Sequence, residues 1–114
     1  MSSMQKNRTK YRAVKVTVDG IRFASKRESE RYQQLKRMVA TGIITNLRLQ
    51  PRFQIADSCT IQGRKRPPRY YVADFAYDRD GLPIVEDTKG MQTDVYKLKR
   101  HLMKTLYNID ILET

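Results

Sequence analysis

The sequence predicts an α/β protein, a mixed β-sheet flanked by two helices with a β-hairpin near the N-terminus. Three observations predict it. Asp-Gly pairs at 19–20 and 80–81 each lie between short runs rich in β-branched and aromatic residues, the pattern of a hairpin closed by a two-residue turn. Apolar residues recur at helical spacing over 25–40 and again from 93 to about 107. With 114 residues, 39% of them hydrophobic, the chain can build one modest core but not two. The organisation expected is a flexible basic arm over 1–12, carrying Lys6, Arg8, Lys10 and Arg12 and no acid, then a single domain over 13–114.

The first hairpin spans 13–24 and turns at Asp19-Gly20. Counting outward pairs Val18 with Ile21 and Val16 with Phe23 on an apolar face, and Thr17 with Arg22 and Lys15 with Ala24 on a polar one. Ser25-Lys26-Arg27-Glu28 then matches a capping box and opens a helix that runs to about Ala40 and stops at Gly42. Glu28, Tyr32, Leu35 and Val39 share its core-facing stripe, while Glu30 falls on the solvated side. Glu28 therefore has two readings, which can coexist. It completes the helix cap, or it projects an acid toward whatever the stripe covers.

Asn46 is turn-prone, and Gln50-Pro51 sets up an extended entry into a strand around Arg52 to Ala56, expected beside the strand that carries Asp74. Residues 57–69 read as a basic, irregular loop in which Arg64, Lys65 and Arg66 are available to phosphate.

The second hairpin carries the chemistry. From Asp80-Gly81, Arg79 pairs with Leu82, Asp78 with Pro83, Tyr77 with Ile84, Ala76 with Val85, Phe75 with Glu86 and Asp74 with Asp87. Pro83 falls in a pair without hydrogen bonds, where its missing N–H is no loss. Asp74 and Asp87 then face each other, Cα atoms roughly 4.5–5.5 Å apart. Strand alternation puts Lys89 on the same face and turns Glu86 and Thr88 away. Opposed like charges need neutralising, and either a divalent cation held by both carboxylates or Lys89 does it. Two carboxylates and a lysine on one sheet face suit metal-assisted cleavage of a phosphodiester. They also suit a plain surface hairpin.

Gly90 breaks the strand, and Thr93 or Asp94 caps a second helix. Val95, Leu98, Leu102 and Leu106 form its expected buried stripe; Lys97, Arg100 (or His101) and Lys104 form a basic one, with Lys97, Arg100 and Lys104 expected to meet the phosphates of DNA. Asn108 ends it, and Ile109-Asp110-Ile111-Leu112 alternates into a last strand.

Charge and composition narrow the function. There are 23 Lys+Arg against 12 Asp+Glu, a net +11, which draws polyanions and makes DNA the leading partner. An anionic membrane surface would suit the charge, but no apolar run approaches the ~20 residues of a spanning helix, and the start has no apolar signal-peptide core. Cys59 is the single cysteine, so neither an intramolecular disulfide nor a cysteine zinc cluster can form, and a cytoplasmic setting is expected. His101 is likewise alone, which removes His-based metal sites and a Ser-His-Asp triad.

Glu28 on a first helix, ADF with Asp74 on one strand, and VEDTKG with Asp87, Thr88 and Lys89 on the next resemble the PD-(D/E)XK nuclease superfamily. FASKRESERYQQL, NLRLQPRF, YVADFAYD and VEDTKGMQTDVYKLKRHLM together look like a family of small phage-encoded nucleases within it. There is a looser similarity to TnsA-type and Holliday junction resolvase nucleases. The likeness covers nearly all of 10–112, with Ala73 where the pattern has proline. It implies a restriction-endonuclease-like core and a Mg²⁺ site in which Mn²⁺ can substitute. Asp74 and Asp87 would be ligands, with the Thr88 carbonyl as a further one and Glu28 reaching the metal directly or through water. Lys89 would orient or deprotonate the attacking water or stabilise the transition state, and Gln92 and Lys97 would touch phosphate. The implied activity is metal-dependent endonucleolytic hydrolysis of branched DNA such as a Holliday junction, or of DNA without preference. Its setting would be phage or mobile-element recombination or replication in the host cytoplasm, and a homodimer would supply two active sites. The alternatives are a non-catalytic DNA-binding module retaining the fold and an adaptor for acidic protein partners.

Overall fold

A computed structural model of the chain describes residues 15–114; the basic segment expected over 1–12 lies outside the described residues. They fall into two compact units divided between Arg37 and Met38.

In the first unit, β1 (Val16–Val18) and β2 (Ile21–Phe23) pair antiparallel with Val16 opposite Phe23, Thr17 opposite Arg22 and Val18 opposite Ile21, the register counted from the turn. Helix α1 (Lys26–Ala40) starts where Ser25 Oγ accepts the Glu28 N–H at 3.1 Å. Glu28, Tyr32 and Leu35 are buried, and the Phe23 and Tyr32 rings meet at 5.0 Å. Val39 departs from expectation: it lies in the last helical turn and is 40% exposed. Asp19 Oδ2 accepts from Tyr32 Oη at 3.0 Å and from Lys36 Nζ at 2.6 Å, so the turn is fastened to α1 by charge as well as packing.

The second unit is built on a four-stranded mixed sheet in the order β10-β9-β8-β3. Its centre is the predicted second hairpin, β8 (Phe75–Arg79) and β9 (Leu82–Asp87), with the five pairs from Arg79–Leu82 to Phe75–Glu86 as counted. The sixth, Asp74 with Asp87, is corrected, because the chain bends at Asp74 and the ladder stops at Phe75. Asp80 and Gly81 take φ of 53° and 77°, which the two-residue turn demands. Strand β10 (Leu112–Glu113) runs parallel to β9, setting Leu112 against Glu86 and Glu113 against Asp87. It begins where the alternating 109–112 segment was expected to end.

Strand β3 (Thr45–Leu49), antiparallel to β8, was not anticipated. The turn-prone Asn46 sits inside it at φ 57° as a bulge between the Thr45–Asp78 and Arg48–Ala76 pairs. At Gln50 (φ 51°) and Pro51 the chain passes into β4 (Arg52–Ala56). Gln50 N–H donates to Asp74 O at 2.9 Å and Ala73 N–H to Pro51 O at 3.1 Å. These two bonds join the β3–β8 ladder to the pairing of β4 with β7 (Arg69–Val72). Beyond it, β5 (Cys59–Ile61) pairs with β6 (Arg64–Arg66). The irregular loop expected over 57–69 is therefore corrected: most of it is a hairpin. Its turn, Gln62-Gly63, has φ of 52° and 77°, the same conformation as the two Asp-Gly turns. Glutamine seldom enters that region, so the pair carried no turn signal.

Helix α2 (Asp94–Tyr107) begins with Thr93 Oγ1 accepting the Tyr96 N–H at 3.1 Å and ends with Asn108 in a left-handed conformation. Its buried residues are Tyr96 and Met103, while Val95, Leu98 and Leu106 are 63%, 60% and 54% exposed. The helix offers two apolar faces, and the sheet takes the one whose tyrosine can hydrogen-bond at the sheet edge. Ile55, Tyr71, Ala73, Ala76, Val85, Tyr96 and Met103 form the core, with Leu102 half-buried against it. Among the described residues no helix is long and apolar enough to cross a membrane.

A Cβ at Gly81 would meet no atom within 4 Å, so the whole cost of Gly81→Ala is its positive φ. Urea denaturation should show a loss of about 1–2 kcal/mol. Asp19 is held below its ordinary carboxylate pKa by the hydrogen bond from Lys36, then by that from Tyr32. A depressed carboxylate stabilises the fold above its unfolded pKa of 3.8 and loses that contribution as pH falls through the lower folded value. Thermal melts of Asp19→Asn should show a shallower drop in stability below that pH than the parent chain.

Candidate active site

The end of the central hairpin gathers the charged groups. Asp74 occupies the bend between β7 and β8, its backbone carbonyl held by Gln50. Its Oδ2 accepts the Thr88 N–H at 2.7 Å. One step past the Phe75–Glu86 pair, Asp74 is thus tied to the segment that leaves β9 just after Asp87.

Asp87 is 1% exposed. Its Oδ2 accepts from the Tyr71 hydroxyl and lies 3.5 Å from Lys89 Nζ, and its backbone carbonyl accepts from Thr114 N–H. The Lys89 ammonium also lies 4.6 Å from the centre of the Tyr96 ring. Burial pushes the Tyr71 phenol far above its ordinary range, and the hydrogen bond to Asp87 with the negative charges of Asp87 and Asp74 adds to that. Tyr71 is therefore a fixed donor, and both carboxylates act on its one hydroxyl. Glu86 stands apart from this group, accepting from Tyr77 Oη at 2.7 Å and from Thr114 Oγ1 at 3.3 Å.

A second acid adjoins Asp87. Glu113 lies beside it in the β9–β10 register and accepts from Tyr96 Oη at 2.6 Å, Arg100 at 2.9 Å and Gln92 Nε2 at 2.9 Å. The bond from Tyr96, then those from Arg100 and Gln92, lower its pKa. Burial, followed by the bond to Glu113, raises that of Tyr96. This network employs Gln92 and Arg100, both expected at phosphate, and Lys104 is paired with Asp110 at 2.9 Å. Lys97, Arg100 and Lys104 line one shallow depression of about 370 Å³. Arg64, Lys65 and Arg66 lie on β6 and are exposed.

Asp74, Asp87, Thr88 and Lys89 are thus brought together. Glu28 belongs to the first unit, where it is buried and its amide is bonded to Ser25. Among the described residues no three His, Cys, Asp or Glu side chains gather as a metal-holding group. Sequence reasoning missed Tyr71, Tyr96 and Glu113. Tyr71 has a signal only in hindsight, as an aromatic three residues before Asp74. Glu113 becomes visible only once β10 is known to pair with β9.

The fold and site together define a mixed α/β protein with, among the described residues, two helices, several small sheets and a β-hairpin ahead of the first helix, and with a group of charged residues where the central hairpin ends. The chain belongs to the family described as Protein of unknown function (DUF1064), which matches residues 8–112. No curated protein and no solved structure matches it.

Tyr71→Phe leaves the ring in the core and removes one donor from a buried carboxylate. Urea denaturation should register a loss of about 1–3 kcal/mol. Tyr70→Phe, the adjacent control, should stay within about 0.5 kcal/mol of the parent.

Proposed function

We propose that this chain is a metal-dependent DNA endonuclease with a restriction-endonuclease-like core of the PD-(D/E)XK kind. The observation that carries the reading is the end of the β8–β9 hairpin, where Asp74 is clamped by Thr88 and a buried Asp87 is held between Tyr71 and Lys89. The donors there fit magnesium: two carboxylates and, as a further oxygen, the Thr88 carbonyl form a hard-oxygen set. When bound, Mg²⁺ or Mn²⁺ would supply Lewis acidity toward a phosphate oxygen and an acidified water.

The protein's own residues do the rest. Thr88 N–H and the Tyr71 hydroxyl fix the orientation of the two acids before any substrate arrives, as outer partners of metal ligands do. Lys89 keeps a cation beside them, where it can steady charge growing on a scissile phosphate or exchange a proton with the attacking water. The substrate proposed is branched DNA such as a four-way junction, or DNA without sequence preference, cut by a homodimer in the host cytoplasm during phage or mobile-element recombination or replication.

A non-catalytic DNA-binding module is the second reading. What favours it is that Asp87 already has Tyr71 and Lys89 as partners, with the Lys89 ammonium over the Tyr96 ring, so this acid is answered without a metal.

Supercoiled plasmid and a four-way junction, incubated with Mg²⁺, Mn²⁺ or chelator, decide between them. Cleavage is expected only with metal. It should disappear in Asp74→Ala and Asp87→Ala and slow by about 10²–10³-fold in Lys89→Ala. Binding without cleavage in both metals would sink the enzyme reading.

A further inference from the structure

Beyond the β4–β7 pairing, the second unit carries a one-sided patch of charge on a separate hairpin. Strands β5 and β6 pair only with each other, and all six of their residues are exposed. Between Asp57 and Asp74 the chain holds Arg64, Lys65, Arg66 and Arg69 and no acid. The cross-strand partners of the three β6 cations are Ile61, Thr60 and Cys59, none of which carries a countercharge. Among the described residues no carboxylate pairs with Arg64, Lys65 or Arg66, whereas Arg100 and Lys104 on α2 are each paired with an acid. Among the described residues the ribbon therefore carries three consecutive cations with no acid beside them, whereas on the helix the unpaired Lys97 and Lys99 accompany the paired Arg100 and Lys104.

The register distributes them. Arg64 and Arg66 share one face with Ile61 and Cys59, and Lys65 shares the other with Thr60. A groove of duplex DNA is walled by phosphates on both sides, so a reader inside it needs cations on both of its faces. A two-stranded antiparallel ribbon is narrow enough for the major groove, about 12 Å wide. We propose that β5–β6 inserts into the major groove of duplex DNA, with Arg64 and Arg66 turned to one phosphate wall and Lys65 to the other. This rests on the proposal that DNA is the substrate, and it assigns where the duplex is held, apart from the carboxylates that would cut it.

The ladder makes the test clean. Ala56 and Arg69 are already cross-strand partners, so replacing residues 57–68 by Asn-Gly closes a shorter hairpin on the same register. A full-length Arg64→Gln/Lys65→Gln/Arg66→Gln variant keeps the ribbon and removes its charge. Both would be compared with the parent on a duplex of about 20 bp in chelator, after urea melts confirm that they fold. At least a tenfold loss of affinity is expected at about 0.15 M salt, with the slope of log K against log salt shallower by about 2–3 for three lost phosphate contacts. Protection of guanine N7, which faces the major groove, from dimethyl sulfate should also vanish.

An unchanged affinity and slope in the triple variant, unchanged N7 protection, or a parent chain that does not bind duplex DNA would each overturn the ribbon's role. The two proposals fail separately. Parent protein that binds through the ribbon yet never cleaves with Mg²⁺ or Mn²⁺ refutes the nuclease and keeps the ribbon. Metal-dependent cleavage with an indifferent triple variant does the reverse.

Discussion

A carboxylate removed from water must be answered by donors or cations, and Asp87, at 1% exposure, sets that requirement for the second unit. Its answers come from two directions, Tyr71 on β7 and Lys89 just past β9. One acid therefore commits two segments that the chain holds far apart in sequence. The commitment extends outward. The Lys89 ammonium lies on Tyr96, Tyr96 bonds Glu113, and Glu113 is carried by the terminal strand that pairs with β9. The pairing of β10 brings Thr114 to Glu86 and to the Asp87 carbonyl, and α2 brings Tyr96 to Glu113.

The bend in the long ladder does the positioning. With β3–β8 and β4–β7 as one straight pair, alternation alone would decide where Tyr71 points. Instead Gln50 adopts φ 51° ahead of Pro51, and the hydrogen bonds Gln50–Asp74 and Ala73–Pro51 carry the pairing across the kink. Asp74 sits in the bend itself, so its backbone is held by β3 while its side chain takes the Thr88 amide. A left-handed residue at such a place is a local cost accepted to re-aim the strand that follows.

How much of this was legible depends on range. Two-residue turns are local, and Asp19-Gly20 and Asp80-Gly81 were sufficient to set both hairpin registers, pair by pair. The Ser25 cap and the Asn108 stop were legible for the same reason. Gln62-Gly63 makes the same kind of turn, but glutamine gives it no local preference, and a hairpin read as a basic loop. On α2 the choice between two apolar faces was beyond the sequence. Val95, Leu98 and Leu106 are as hydrophobic as a core stripe should be, yet the face that packs carries Tyr96, whose hydroxyl finds Glu113. That pairing spans strands whose parallel register no local signal encodes. The site divides along the same line: Lys89 beside Asp87 follows from counting, whereas Asp74 is held by the Thr88 amide instead of the counted pair with Asp87, and Tyr71 and Glu113 follow only from long-range pairing.

Electrostatics gives the arrangement its internal logic. A cluster of carboxylates repels the phosphate that the proposed reaction would bring to it, so attraction has to originate elsewhere on the same unit. Near the cluster, cations are already matched: Lys89 with Asp87, Arg100 with Glu113, Lys104 with Asp110. They hold the acids in place and contribute little net field. Three consecutive unmatched cations lie along β6, in the separate hairpin that follows the β4–β7 pairing. On the proposed reading, a gripping hairpin and a cutting end sit in the same unit, with the β4–β7 pairing between them in the chain. Separating them follows from the incompatibility of the two charge environments, since free arginines beside Asp74 and Asp87 would compete with any divalent cation for the same oxygens.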